Sequence, residues 1–431
     1  MHSPLAAPVI LRGDHIKERF FMQTGIQYSC NWKNKAALFL ASQTVSMFGS
    51  SLVQYAITWY ITLTTKSGVL MTVSILCWLL PNFIMAPFAG VWADRYSRKK
   101  LIALSDAMVA LVTLAMAVLF LNGYNSLWLI FIGTALRAFG SGVQAPAVGA
   151  VLPQLVPQEK LTRINGINSS LQSAITLISP AISGALLAMA KIEYIFFIDV
   201  ATAAAAITIL LAFIDIPLHA KARQNEKSGY FKDMKSGLDY IKRSSFLIRL
   251  FIFYGIFFIL IAPTAFLSQL QVTRSFGADV WRLTAVEIAF SAGMIIGGAA
   301  IASWGGFKNR VRTSVMAFLL FGGSTLALGL IPIFWIYLVF MGITGIALPF
   351  LNTPSTVLLQ EKVEENHLGR VFGIWSMMST SLMQAGMLIF GPVADYIKIE
   401  WIMIGTGALL LVLGVVLSRN KVLIRAGVKE A

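Results

Sequence analysis

The sequence predicts an all-α membrane protein whose twelve transmembrane helices form two six-helix bundles related by pseudo-two-fold symmetry. Three observations lead to this fold class. The 431 residues are 57% hydrophobic and only 12% charged, whereas a soluble protein is about 25% charged. Apolar runs long enough to cross a bilayer, which takes about 20 residues, recur along the chain, and short patterns repeat between its halves. This composition excludes a soluble enzyme.

The apolar runs divide the chain into twelve predicted spans. They cover residues 37–64, 69–92, 101–122, 126–152, 164–189, 194–213, 247–270, 283–304, 312–332, 335–359, 370–395 and 400–418. Only Pro332 to Trp335 separate the ninth span from the tenth. From these spans we predict an N-terminal tail (1–35), a six-helix bundle (36–213), a cytoplasmic linker (214–246), a second six-helix bundle (247–418) and a C-terminal tail (419–431).

The positive charges predict the orientation of the spans. Lys and Arg are enriched in cytoplasmic loops, and with the amino terminus inside, the cytoplasmic segments hold 28 of the 34 Lys and Arg. We therefore expect a multi-pass protein of a bacterial cytoplasmic (inner) membrane with both termini in the cytoplasm. The net charge of +15 then reflects topology and attraction to anionic lipid rather than binding of nucleic acid.

The linker contains one amphipathic pattern. Phe231, Met234, Leu238 and Ile241 share a helical face, and charged residues occupy the other positions. This pattern fits a helix on the inner membrane surface, and it fits a solvated linker helix equally well.

Several residue sets that other functions require are absent from the sequence. Cys30 falls in the N-terminal tail and Cys77 in the second span, so we expect neither a structural disulfide nor a metal site. There is no Gly-x-x-x-x-Gly-Lys-Ser/Thr phosphate loop, and all four histidines lie outside the predicted spans. We expect no enzymatic activity, no metal and no cofactor.

The two halves share short stretches of sequence. Residues 161–167 match 368–374 at an offset of 207, and residues 92–100 match 304–312 at an offset of 212. Each match falls at a corresponding cytoplasmic loop. Repeated halves with a binding site between them are typical of secondary transporters.

Residues 90–100, directly after the second apolar run, read Gly-Val-Trp-Ala-Asp-Arg-Tyr-Ser-Arg-Lys-Lys. This stretch resembles the signature loop between helices 2 and 3 of the major facilitator superfamily of transporters, with Ser97 in place of the usual glycine. Arg137-x-x-Gly-x-Gly resembles the family's helix-4 motif. Residues 43–106 and 283–312 look most like its macrolide-efflux branch.

A further motif resembles one from proton-driven exporters. Ser179, Pro180, Ser183 and Gly184 occupy the places of the helix-5 motif Gly-Pro-x-x-Gly-Gly, so that two glycines are serines here.

The resemblance implies secondary active transport by alternating access. It implies proton-coupled export of amphipathic drug-like compounds such as macrolides by a monomer, with the proton gradient as the energy source. The signature loop implies a gate that holds the inward side closed through charge contacts. The gating residues are Gly90, Asp94, Arg95, Arg98 and Lys99. Two alternatives are a transporter of a physiological metabolite, such as a siderophore or a sugar, and a membrane sensor that moves no ligand.

Few ionisable residues lie inside the predicted spans, where a charge costs at least about 2.5–3.5 kcal/mol. Asp199, Glu287 and Asp106 are the candidates for proton coupling, because a carboxylate that alternates between water and apolar surroundings can bind and release a proton. Asp106 could instead pair with the basic loop, and the other two could cap helix ends near the outer face. We expect Arg137 to line the cavity, where it either binds a carboxylate or sets the charge that is preferred in the substrate.

Polar side chains recur at helical spacing in spans 1, 5 and 11, which indicates faces that line water. The alternative is packing between helices through small polar residues. The methionines of span 11 could add an adaptable apolar wall. The candidate cavity residues are Arg137, Gln43, Gln54, Gln144, Gln172, Asn352, Gln384 and Met383.

Overall fold

The computed structural model describes residues 32–214 and 230–428. Apart from one isolated bridge between Asn309 and Val428, the regular structure of these residues is helical. The helices are α1 (Trp32–Thr65), α2 (Gly68–Arg95), α3 (Arg98–Leu121), α4 (Leu127–Leu155), α5 (Gln158–Met189), α6 (Ile192–Phe213), α7 (Tyr230–Arg243), α8 (Ser245–Ser275), α9 (Val280–Trp304), α10 (Arg310–Leu330), α11 (Phe334–Lys362), α12 (Glu365–Tyr396), α13 (Ile399–Arg419) and α14 (Lys421–Ala426).

Twelve of these helices, all except α7 and α14, are long and apolar enough to cross a membrane. They correspond one to one with the twelve predicted spans, so the predicted fold class is confirmed. The narrow gap between the ninth and tenth spans is also present, since α10 ends at Leu330 and α11 begins at Phe334.

Polar residues at the helix ends explain several of the boundaries. The Ser67 hydroxyl accepts the backbone N–H of Leu70 at the start of α2, and the Asn309 side chain accepts the backbone N–H groups of Val311 and Arg312 at the start of α10. These side chains satisfy N–H groups that have no partner within the helix. Gly305 ends α9 with a φ of +76°, a conformation that favours glycine.

The helices pack mainly within two groups, α1–α6 and α8–α13. The principal contacts between the groups join α5 to α9 and α2 to α12. In each pair, the second span of one group meets the fifth span of the other, which is the arrangement that a two-fold axis between the groups produces. The domain boundaries given above stay predictions.

Glycines allow close approach at both of these junctions. A Cβ on Gly184 of α5 would overlap the side chain of Thr284 on α9. A Cβ on Gly391 of α12 would overlap Thr72 and approach the backbone of Gly68 on α2. The glycine of the helix-5 motif therefore serves a contact between the two groups.

The connecting helix α7 packs against the protein. The Tyr240 ring stacks on His367 of α12 with centroids 4.3 Å apart, and its hydroxyl accepts the backbone N–H of Glu364. Ile241 is buried, whereas Leu238 is exposed. Part of the apolar face therefore covers α12 and α8, so this face is neither fully solvated nor fully turned to lipid. Residues 215–229 of the predicted linker lie outside the described part of the chain.

The C-terminal tail contains helix α14, which sequence analysis did not predict. Its Leu423 is fully buried. The Asn309 amide donates to the carbonyl of Ile424 at 2.7 Å, and the backbone N–H of Arg310 donates to Gly427 at 2.9 Å. The tail is thus held against the loop between α9 and α10.

Candidate functional site

A large cavity of about 870 Å³ lies between the two groups of helices. Seven helices line it, namely α1, α2 and α8 to α12. Its volume is within the range of sites that enclose drug-sized ligands. The aromatic lining residues are Tyr55, Trp78, Phe258, Phe266, Phe290, Phe321 and Trp375. The polar lining residues include Gln54, Thr58, Ser74, Thr264, Ser268, Gln269, Glu287, Thr344, Asn352, Ser379, Thr380 and Gln384.

Four of the predicted cavity residues line this large cavity. They are Gln54, Asn352, Gln384 and Met383. The wall opposite α1 and α2 is shaped by a π-helical turn at Pro263–Leu267 within α8. Such turns are common at functional sites, and this one contributes Thr264 and Phe266 to the lining. Neither the turn nor most of the aromatic lining was predicted from the sequence.

Glu287 of α9 is the acidic residue in the lining of the large cavity. One of its oxygens accepts a hydrogen bond of 2.8 Å from the Gln269 side-chain amide. Gln269 lies on α8 just after the π-helical turn and is buried. The structure therefore places Glu287 on the large cavity and not at a helix cap, which was the alternative role.

A small cavity of about 310 Å³ lies within the first group of helices. It is lined by residues of α1, α2, α3, α4 and α6, including the predicted residues Asp106, Arg137, Gln144 and Gln54. Gln54 and Trp78 line both cavities, so the two spaces adjoin at these side chains.

Asp106 is buried in the wall of the small cavity. Its Oδ1 accepts hydrogen bonds from the Ser46 hydroxyl at 3.0 Å and the Gln144 amide at 2.6 Å. Its Oδ2 is buried and has no hydrogen-bond partner among the described residues. The partners of Asp106 come from α1 and α4, and the alternative of a pair with the basic loop receives no support from these contacts.

Arg137 and Asp199 form a buried ion pair beside the small cavity. Their closest side-chain atoms are 2.5 Å apart, and the side chains are only 9% and 1% exposed. Asp199 also accepts from the Ser50 hydroxyl at 3.1 Å and the Thr113 hydroxyl at 3.0 Å, and Arg137 contacts Thr113. The alternative that Asp199 caps a helix end receives no support, because its partner is an arginine from inside the bundle. Arg137 lines the small cavity, and the carboxylate that it binds is that of Asp199.

Two predicted cavity residues line neither cavity. Gln43 is buried on α1, and its amide nitrogen has no partner among the described residues. Gln172 is exposed on α5. The polar face of α5 is exposed from Asn165 to Thr176 and buried at Ser179 and Ser183. The two groups of helices therefore separate towards the beginning of α5 and close towards its end.

The helix-5 motif lies at this closed end of α5. The Ser183 hydroxyl donates to the Leu52 carbonyl of α1 at 2.9 Å, and Ser179 is fully buried. Pro180 lies within the helix. The motif thus fixes α5 to α1 on one side and, through Gly184, allows α9 to approach on the other.

A cluster of Ser67, Gly68, Arg274 and Asp395 joins the two groups at the closed end, and we name it the latch. The Asp395 carboxylate accepts the backbone N–H of Gly68 at 2.7 Å and that of Val69 at 2.9 Å, and it accepts the Ser67 hydroxyl at 2.7 Å. Arg274 of α8 pairs with Asp395 at 2.6 Å and donates to the Lys66 carbonyl.

The latch was not predicted. Asp395 is the last residue of the eleventh predicted span and Arg274 lies between the seventh and eighth, but their contact joins residues 121 positions apart. The sequence feature that could have predicted the latch is the Ser-Gly pair at the start of α2, because the first N–H groups of a helix attract a carboxylate.

The signature loop is described only in part. The backbone places Gly90, Asp94 and Arg95 at the end of α2, but their side chains lie outside the described part of the structure. The Arg98 guanidinium donates to the Ala150 carbonyl of α4 at 2.7 Å, and the Lys99 ammonium donates to the Leu211 carbonyl of α6 at 2.9 Å. These contacts lie within the first group of helices, and the gating role stays a prediction.

Within the described residues, no group of three or more His, Cys, Asp or Glu side chains is arranged to hold a metal ion. The chemistry available in the two cavities is therefore that of carboxylates, amides, hydroxyls and one arginine.

The family model of the Major Facilitator Superfamily matches residues 39–385. The chain belongs to the Major Facilitator Superfamily. The protein is thus a membrane transporter, and the recognition made from its motifs is confirmed.

Relatives agree with this assignment, and a solved structure agrees with the fold. The transporter is 29% identical over 388 residues to macrolide efflux protein A of Streptococcus pyogenes, covering 90% of this chain and 96% of the relative. It is 26% identical over 388 residues to enterobactin exporter EntS of Shigella boydii serotype 4 (strain Sb227), covering 88% and 90%. A crystal structure of nucleoside transporter NupG superposes with a TM-score of 0.61 at 14% identity, covering 88% of this chain and 98% of the other.

Proposed function

We propose that the transporter exports amphipathic drug-like compounds, such as macrolides, in exchange for protons. The observation that carries this proposal is the large cavity between the two groups of helices, with aromatic walls, polar amides and one carboxylate. The similarity to macrolide efflux protein A supports the substrate class. The proposal includes no chemical conversion of the substrate and no cofactor, and it takes the monomer as the working unit.

We place the latch at the outer side of a bacterial cytoplasmic membrane, with both termini in the cytoplasm. This orientation follows from the distribution of Lys and Arg. The large cavity is then closed towards the outside by the latch and open towards the cytoplasm, where the first half of α5 is exposed. In this state an exporter receives its substrate.

Proton coupling is assigned to Asp106, Asp199 and Glu287. Asp106 lines the small cavity, and one of its oxygens is buried without a hydrogen-bond partner among the described residues. A carboxylate with an unused oxygen can bind a proton and release it when its surroundings change. Asp199 pairs with Arg137, which compensates its charge.

Efflux from a pump-deficient bacterial host tests the export proposal. Expression of the transporter should lower the accumulation of erythromycin, and collapse of the proton gradient should restore it. The Glu287→Gln variant should accumulate erythromycin like the empty host. Asp279→Asn, which removes an exposed carboxylate outside both cavities, serves as the matched control. Accumulation that is the same with and without the transporter would contradict the proposal.

Export of a physiological metabolite is the second candidate, and the similarity to enterobactin exporter EntS favours it. The same host, made deficient in its own siderophore exporter, distinguishes the two. Restored secretion of siderophore without any change in erythromycin accumulation would favour the metabolite.

A further inference from the structure

Two neighbouring helices of the second group, α8 and α13, carry rows of exposed aliphatic side chains. Ile252 and Ile256 are exposed on α8, and Val412 and Val416 are exposed on α13. Residues four apart lie on one face of a helix. Both helices are long and apolar enough to cross a membrane, so these two rows are faces that lipid chains cover.

Each row ends in an arginine. Arg249 lies three residues before Ile252, and Arg419 lies three residues after Val416, so both continue their rows at helical spacing. Both arginine side chains are exposed. Arg249 lies near the start of α8 and Arg419 is the last residue of α13. A long basic side chain at the end of a spanning helix reaches the level of the lipid headgroups.

A hydrogen bond connects α8 to the junction of α13 and α14. The Arg249 guanidinium donates to the side-chain oxygen of Asn420 at 3.5 Å. Asn420 stands between Arg419 and Lys421 in the chain, and Lys421 is also exposed. The buried Leu423 holds α14 against the protein. Three positive charges are therefore gathered where the two aliphatic rows end.

No carboxylate of the described residues compensates these three charges. Arg249, Arg419 and Lys421 form no ion pair within the described part of the chain. The sequences of α8, α13 and α14 contain one acid, Glu400, which lies in the first turn of α13, at its opposite end. The Asn420 amide that Arg249 contacts neutralises no charge. The surface thus combines uncompensated positive charge with two apolar rows.

We propose that this surface binds an anionic phospholipid, with the headgroup at Arg249, Arg419 and Lys421 and the acyl chains along the rows of α8 and α13. Basic clusters beside spanning helices attract acidic lipids. A soluble phosphate compound has no chains that use the aliphatic rows, so a lipid is the ligand that fits both parts. None of the three basic residues lines either cavity, and the inference does not depend on the transported substrate.

Two phospholipids with the same chains and different headgroups test the proposal. Dioleoyl-phosphatidylglycerol has a net negative charge, whereas dioleoyl-phosphatidylcholine has none. Native mass spectrometry of the purified full-length transporter in detergent counts the molecules of each lipid that are bound at increasing lipid concentration. We expect phosphatidylglycerol to bind its first site at least about tenfold more tightly. Glycerol phosphate, which has the charge but no chains, should not bind at the same concentrations.

The variants locate the site. Arg249→Gln combined with Arg419→Gln should weaken the binding of phosphatidylglycerol by at least about tenfold and leave that of phosphatidylcholine within about twofold. Lys33→Gln removes an exposed charge from the start of α1 in the first group of helices and should keep the full preference. If the double variant cannot be purified, Lys421→Gln is measured instead, and it should weaken phosphatidylglycerol binding by about fivefold.

Equal binding of the two lipids to the unmodified transporter would overturn the proposal. So would a preference that is unchanged in the double variant, or one that Lys33→Gln lowers as much. Binding of glycerol phosphate as tight as that of phosphatidylglycerol would show a site for any anion and would also overturn the assignment to a lipid.

Discussion

Asp395→Asn should open the closed end of the transporter. The carboxylate accepts two backbone N–H groups in the first turn of α2 and pairs with Arg274. The Asn amide keeps one oxygen as an acceptor. Its NH2 group stands where the second carboxylate oxygen stood, and it faces donors that it cannot bind. The helix-capping contacts are worth about 1 kcal/mol. The ion pair, with side chains 30% and 22% exposed, adds about 1 kcal/mol at most because water screens it. The total of about 2 kcal/mol corresponds to about a 30-fold shift from closed to open.

Labelling of a single cysteine measures this shift. Cys30 and Cys77 are replaced by serine, and a cysteine is placed at Thr58, which lines the large cavity. With the latch at the outside, a membrane-impermeant maleimide added to intact cells reaches this cysteine only when the closed end opens. Asp395→Asn should raise the labelling rate by about 30-fold, in proportion to the open population.

Asp279→Asn provides the control for this experiment. Its pair with Arg282 lies at the same end, at 3.3 Å, but joins residues three apart and does not connect the two groups of helices. Labelling should stay unchanged in this variant. If the rate in Asp395→Asn equals that of the unmodified latch, or if Asp279→Asn raises it as much, the latch does not hold the closed state.

Four other variants test the remaining contacts. Arg137→Ala leaves Asp199 buried without compensation, so it should destabilise the protein by about 3–5 kcal/mol, whereas Arg137→Met with Asp199→Asn should recover most of this loss; thermal unfolding in detergent measures both. Asp94→Asn should slow erythromycin efflux while surface expression stays normal, and rapid efflux would remove the gating assignment. Gly184→Leu overlaps Thr284 and should raise labelling at the closed end, which the Thr58 cysteine reports.

The spans could be predicted because each depends on a local stretch of the chain. Pro332 marks the gap between α10 and α11, although only a few residues separate them. The short helix α14 was missed because six residues carry too weak a periodic pattern and are fixed by contacts with Asn309. Local sequence therefore determines which segments cross the membrane but not how the tail docks.

The ion pair of Arg137 and Asp199 shows why the site was predicted less well. Both residues were predicted to be charges inside spans, which is correct, but each was predicted to have a separate role. Their contact joins residues 62 positions apart on different helices. Only the packing of α4, α3 and α6 brings them together, and helix rotation is not encoded in hydropathy. The same reason applies to Arg274 and Asp395 in the latch.

Helix α1 contacts two of the three carboxylates that the proposed exchange requires. On α1, Ser46 donates to Asp106 and Ser50 donates to Asp199, and one turn further on Gln54 lines both cavities. The spacing of four residues keeps the three on one face. A proton added to either carboxylate changes which oxygen can accept, and thus the bond to α1. Because α1 also lines the large cavity, proton occupancy in the first group of helices and substrate occupancy between the groups act on the same element.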